Sequence, residues 1–227
     1  ITGFLAAIEK SGTALNYTTF VGNGTVRAAV MGYADRPASS AELDRMRELV
    51  AEAMAGGALG MSSGLEYTPS SFASTEELIE LGRVAARTGG VYATHMRDEE
   101  SLVLEAVAEA LRIARETPIR LQISHLKVGF AVNWPKLGTL MDMLDKARAE
   151  GLDFRCDRYP YIAGATGLST LFPVWSREGG TEGLLARLGD PAFDARLRAH
   201  LAGQEKGYGS WDKILISDVG YDKNRAL

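Results

Sequence analysis

Two histidines carry the clearest chemical signal in this chain. His95 ends the apolar run Val91-Tyr92-Ala93-Thr94-His95-Met96-Arg97, and His125 ends Leu121-Gln122-Ile123-Ser124-His125-Leu126-Lys127. Both runs read as strands, and the helical stretch from Ser101 to Glu116 lies between them. If the strands are parallel neighbours joined by that helix, both imidazoles emerge at one end of one sheet, where one metal ion could bridge them. A catalytic metal of this kind takes about three protein ligands and keeps a position open, so two histidines make only part of a site. The competing possibility is a pair of ordinary histidines at a sheet rim. Lys127 follows His125 by two residues, which in a strand places both on one face. A cation there suits an anionic substrate, although a solvated lysine is the commoner fate. Arg97 has two candidate partners, a substrate or the acidic run Asp98-Glu99-Glu100. His200, after Arg196-Leu197-Arg198-Ala199, reads as a surface helix residue.

The elements that must position these residues alternate with a period near thirty. Ala14 to Val21 reads as a strand ended by Gly22-Asn23-Gly24. Ser39-x-x-Glu42 is a capping box opening a helix through Leu43, Met46, Val50 and Met54, stopped by Gly56-Gly57. A short strand spans Ala58 to Ser62. A second capping box, Ser74-x-x-Glu77, opens a helix through Leu78, Leu81 and Ala85. The His95 strand, a helix through Leu104, Val107 and Leu111, and the His125 strand follow. A helix through Leu137, Leu140, Met141 and Leu144 leads to a strand from Leu152 to Arg158. Short, largely apolar strands predict a parallel sheet covered on both faces. Right-handed crossovers leave an open doubly wound sheet or a (β/α)8 barrel. No G-x-G-x-x-G or P-loop opens a helix, and the polar residues Asn23, Ser62, Ser63, His95, Arg97, His125, Lys127, Asp157 and Tyr159 gather at the C-terminal strand ends. Both facts favour the barrel. Five units are fewer than eight, so a partial barrel is expected over residues 1–163. Residues 164–227 read as a mostly helical lid or insert, with helices near Thr181 to Leu188 and Ala192 to Leu201 and a late strand at Lys213 to Ser217.

At 227 residues the chain can bury one full α/β core. Its net charge of −4, without a basic run, argues against a nucleic-acid partner. No apolar run approaches the roughly 18 residues that span a membrane. The single cysteine, Cys156, excludes an internal disulfide and fits a reducing, cytoplasmic setting. No signal peptide precedes the amphipathic start at Phe4-Leu5-Ala6-Ala7-Ile8, and a chain that opens on Ile1 is expected to have residues upstream.

Several segments together resemble the N-acyl-D-amino-acid deacylases (D-aminoacylases) of the metal-dependent amidohydrolase superfamily. They are Met31-Gly32-Tyr33-Ala34-Asp35-Arg36-Pro37, Gly60-Met61-Ser62-Ser63-Gly64-Leu65-Glu66-Tyr67-Thr68-Pro69, Tyr92-Ala93-Thr94-His95-Met96-Arg97, Ile123-Ser124-His125-Leu126-Lys127, and Tyr159-Pro160-Tyr161 with Gly164. They occur in the family's order over nearly the whole chain. The resemblance implies a (β/α)8 TIM-barrel amidohydrolase, of which this chain supplies about strands three to seven and part of the substrate lid. It implies zinc as cofactor, His95 and His125 as metal ligands, and a small-molecule N-acyl amino acid as substrate. Lys127 and Tyr159 would hold the substrate α-carboxylate, and Tyr67 would bond the scissile carbonyl as catalytic residue. The family's His-x-His and bridging cysteine belong upstream of Ile1, and its catalytic aspartate after Leu227. Cys156 is not that cysteine, and Ile216-Ser217-Asp218 only mimics the strand-end Ser-Asp.

An amide is a poor electrophile and water a poor nucleophile. Zinc addresses both, lowering the pKa of a bound water from ~16 to ~7 and polarising the carbonyl. Two departures stand out: Asn23 replaces the family's histidine in Gly-His-Gly, and Ala165 replaces a serine for the carboxylate. Alternatives therefore stay open: an amidohydrolase acting on a cyclic amide or small N-acyl peptide, or a non-catalytic metal-binding barrel piece.

Overall fold

The computed structural model describes residues 1–208 and 210–217. Five parallel strands form one sheet in the order β1-β2-β3-β4-β5. They are Phe20–Gly22, Gly60–Gly64, Val91–His95, Arg120–Ile123 and Phe154–Cys156. The helices are α1 (Thr2–Ser11), α2 (Asn23–Met31), α3 (Ser40–Ala55), α4 (Thr75–Ala86), α5 (Val103–Glu116), α6 (Leu137–Ala149), α7 (Gly180–Arg187) and α8 (Pro191–Tyr208). No helix among the described residues is long and apolar enough to cross a membrane.

Strand order matches chain order without a reversal, so right-handed crossovers bring the connecting helices to one face. That face is the core. Met61, Tyr92, Leu121, Ile123 and Phe154 from the strands pack with Met46, Val50, Leu78, Leu81, Val107, Leu111 and Leu140 from the helices. The alternate strand residues Ser62, Val91, Ala93, His95 and Gln122 are only half-buried. The expectation of cover on both faces is thus corrected among the described residues: one face is packed, and the other carries His95. Register between β2 and β3 is pinned at Gly60, partner of Val91, where a Cβ would lie 1.9 Å from the Val91 carbonyl oxygen.

The first capping box forms in full, with Ser39 and Glu42 exchanging bonds at the start of α3. The second forms by half. Ser74 Oγ accepts the Glu77 N–H at 3.1 Å, but the Glu77 carboxylate turns away. It pairs with Arg27, which is fully buried, and accepts from Asn23 Nδ2 at 3.1 Å. Ser70 Oγ donates to Asn23 Oδ1 at 2.6 Å, and Arg27 also binds the Arg36 carbonyl at 2.5 Å. This buried network explains why α2 escapes a sequence reading. Its inward residues Asn23, Val26 and Arg27 keep helical spacing, but two of the three are polar. Asn23 is therefore a structural residue.

Other elements shift. The first strand is three residues at Phe20–Gly22, shorter than expected. The late strand expected at Lys213 to Ser217 does not form among the described residues. A 3-10 turn covers Trp211–Lys213, and Leu215 and Ile216 are exposed with no strand beside them. The α7 and α8 helices fall where expected.

Candidate metal centre

Three adjacent strand ends build the centre. His95 is the last residue of β3, in register with Gly64 of β2. His125 lies two residues past β4, at φ 41°, a left-handed conformation that costs a non-glycine residue about 1–2 kcal/mol. Asp157, just after β5, holds it there. Its carboxylate accepts the His125 N–H at 2.6 Å and Gln122 Nε2 at 2.7 Å, and its carbonyl accepts the Leu126 N–H at 2.9 Å. The sequence argument for Lys127 assumed a continuing strand. The chain turns at His125 instead, and Lys127 returns to the site through that turn.

The two imidazoles converge. His95 Nδ1 and His125 Nε2 stand 3.0 Å apart. The outer nitrogens are each held by a carboxylate: His95 Nε2–H donates to Glu66 at 2.7 Å and His125 Nδ1–H donates to Glu99 at 2.7 Å. Carboxylates accept only, so these bonds leave the facing nitrogens, His95 Nδ1 and His125 Nε2, to share one cation, a proton or a metal. Lys127 Nζ also stands 3.2 Å from His125 Nδ1. Two nitrogens bound to one tetrahedral zinc at ~2.05 Å stand about 3.3 Å apart, close to what the rings already adopt. The donor set therefore fits a metal. His95, Glu99 and His125 offer ligand atoms within 4.8 Å of one another. Glu99, though, binds the ring nitrogen of His125 turned away from His95, the position of an orienting carboxylate.

Around this pair the field is mixed. The hydrogen bond from His95 holds the Glu66 carboxyl below its ordinary range, against the opposing effect of burial. Burial, aided by Asp98, Glu66 and Glu99, pushes Glu100 up to about 7. Lys127 pairs with Glu99 and donates to the His125 carbonyl at 3.3 Å. Its ammonium lies 5.4 Å from the Tyr159 ring centre, and that ring stands 6.2 Å from His125. The Tyr67 ring is 5.0 Å from His95, and its hydroxyl is 3.0 Å from Thr166 Oγ1. Five of the six residues singled out as site residues, His95, His125, Lys127, Tyr159 and Tyr67, thus gather.

Arg97 is the exception. Its guanidinium binds Glu109 of α5 through two 2.9 Å bonds and donates to the carbonyls of Ser71 and Ala73, also at 2.9 Å. Four of its five N–H donors are engaged in these bonds, and none of them goes to Asp98, Glu99 or Glu100. Asp218 lies outside the described residues. His200 sits half-buried on α8 and takes no part in the cluster. Glu66, Glu99 and Asp157 were missed as site residues. Their one signal was position, since each carboxylate falls within a few residues of a site residue.

The fold and centre define an α/β protein with a histidine pair at the C-terminal end of a parallel sheet. Among known proteins no family model matches the chain. D-aminoacylase from Alcaligenes xylosoxydans xylosoxydans is 42% identical over 165 residues, 73% of this chain and 34% of the relative. The N-acyl-D-glutamate deacylase of the same organism is 35% identical over 163 residues, 72% of this chain and 33% of the relative. A crystal structure of D-aminoacylase, described as defining a novel subset of amidohydrolases, superposes with TM-score 0.68 at 40% identity, over 72% of this chain and 34% of its own. The N-acyl-D-glutamate deacylase of Bordetella bronchiseptica, solved with zinc and a phosphonate inhibitor, gives TM-score 0.68 at 32% identity over 71% and 34%. The matched part of this chain is homologous to the N-acyl-D-amino-acid deacylases. It spans about a third of the length of those curated relatives.

Proposed function

We propose that this chain is the central segment of a zinc-dependent deacylase that hydrolyses the amide of N-acyl-D-amino acids. The observation that carries it is the pair of histidine nitrogens facing each other at 3.0 Å on neighbouring strand ends, each ring held at its outer nitrogen by a carboxylate. Identity of 42% to a D-aminoacylase supports the substrate class. The strand order, unreversed and with helices on one face, supports a (β/α)8 barrel of which residues 1–163 supply about strands three to seven. Residues 164–227 then belong to a lid or insert.

His95 Nδ1 and His125 Nε2 would hold the zinc, and Glu66 and Glu99 would orient the two rings. When bound, the metal supplies an activated water and polarises the substrate carbonyl. Lys127 offers its ammonium to the substrate α-carboxylate, exchanging part of its contact with Glu99 for the incoming anion. Tyr159 flanks that carboxylate. Tyr67 presents its hydroxyl to the carbonyl oxygen as negative charge develops there. The remaining ligands and the general base come from the longer protein.

The test is hydrolysis of N-acetyl-D- and N-acetyl-L-amino acids by the full-length, zinc-loaded protein. Chelator-sensitive turnover of the D-series is expected, with none from residues 1–227 alone. Lys127→Ala should raise KM about ten- to a hundredfold for acyl amino acids, as loss of a charge-assisted bond does, and far less for a neutral amide analogue. Equal losses on both substrates would make Lys127 structural, and a full-length protein inert on every acyl amino acid would end the deacylase proposal.

A further inference from the structure

We infer that a groove on the β1–β2 side of the histidine pair receives the acyl chain of the substrate, and that it is shaped for uncharged linear alkanoyl groups longer than acetyl. This rests on the deacylase proposal and names the substrate class of that same site. An N-acyl amino acid leaves its amide in two directions, because the trans amide places the acyl carbon and the α-carbon on opposite sides of the C–N bond. With the carboxylate drawn to Lys127 and Tyr159, at the ends of β4 and β5, the acyl arm runs back across β3 toward β2 and β1. Gly64 of β2 is in register with His95, so the arm meets β2 at a glycine.

A groove opens there. Its walls include Gly22, Gly24, Ser62, Tyr67 and Pro69, with Ala28 at the α2 end. Tyr67 belongs to both places, lining the groove while its ring stands 5.0 Å from His95. Glycines and serines at the strand ends leave width for a chain. No charged side chain lines the groove, so nothing in it would neutralise an acyl group ending in a carboxylate. An alkyl chain gains roughly fourfold in affinity for each methylene it buries.

Gly24 is the position to test. It lies in the first turn of α2, and a Cβ there would meet Ser70 Cβ at 3.4 Å, an ordinary contact. Alanine favours a helix over glycine, so Gly24→Ala should fold, and Gly24→Leu sets a larger group against the groove walls at Ser70 and Pro69. The full-length zinc enzyme and both variants would be assayed on N-acetyl, N-hexanoyl and N-succinyl derivatives of one D-amino acid, with thermal melting as the check on folding. Wild type should favour hexanoyl over acetyl severalfold and disfavour succinyl. The hexanoyl-to-acetyl ratio of kcat/KM should fall at least tenfold in Gly24→Leu and by a smaller factor in Gly24→Ala. If Gly24→Leu fails to fold, Gly24→Ala alone decides. A ratio unchanged within twofold in a folded variant overturns the groove assignment, as does a wild type that prefers acetyl or succinyl. A wild type inert on all three overturns the deacylase proposal, and the groove assignment falls with it.

Discussion

Glu66 and Glu99 decide what the two histidines can do. Each occupies the outer nitrogen of one ring, and so each leaves the inner nitrogen as a ligand. Carboxylates in this position matter about ten- to a hundredfold in metal affinity. Glu66→Gln and Glu99→Gln should therefore each weaken zinc binding by that factor, read as a zinc dissociation constant by competition with a chromophoric chelator. Unchanged affinity in both variants would show the carboxylates to be bystanders. The histidines themselves were legible because two similar apolar runs ended on the same residue type at one spacing. The carboxylates were not, because the run Asp98-Glu99-Glu100 reads as a partner for Arg97 until the turn at His125 brings Glu99 to the ring. Arg97 misled for the converse reason. Its true partner, Glu109, lies on the next helix, where charge proximity along the chain gives no hint.

Helix α2 and the sheet interior show how polar groups set element packing. Arg27 and Glu77 are buried together, with Asn23 completing the carboxylate. Burial pushes Glu77 up, while Arg27 and Asn23 pull it down. Removing one partner of such a pair leaves the other charge alone in the interior, at about 3–5 kcal/mol. Glu77→Ala should lose that much in urea unfolding, and Arg27→Met with Glu77→Leu should lose less. A cost below about 1 kcal/mol for Glu77→Ala would mean that the pair does not hold α2 to α4. Tyr92 gives a pH signature. Its hydroxyl bonds Ser63 Oγ at 2.7 Å, and burial pushes it up to about 12. The unfolded tyrosine ionises near 10, so this contribution is whole below pH ~10 and is lost as pH rises toward 12, about 1.4 kcal/mol per unit. Wild type should lose more stability than Tyr92→Phe between pH 9 and 11, measured by denaturant midpoints; parallel losses would refute the assignment. Apolar periodicity made α3 to α6 legible, but α2 hid behind its buried polar face, and the apolar 214–216 run misled because a strand also needs a neighbour.

At the scale of the whole molecule, the sheet has two unpaired edges and one half-covered face among the described residues. Alternation made the parallel direction of the strands readable, while their unreversed order was read from the missing G-x-G-x-x-G and the polar residues gathered at the strand ends. The unreversed order also has a consequence in time. Each strand pairs with the next one synthesised, so the sheet can settle segment by segment as it leaves the ribosome, and no strand waits for a distant partner. Pairing each strand with the next one along the chain keeps contact order low for a parallel sheet, a topology that otherwise folds slowly. Hydrogen-exchange labelling of stalled nascent chains should find the Tyr92 and Leu121 amides protected once β5 has emerged, with Val21 and Arg155 guarded last. Simultaneous protection of all five strands, and only on chain release, would show instead that this sheet forms only as a whole.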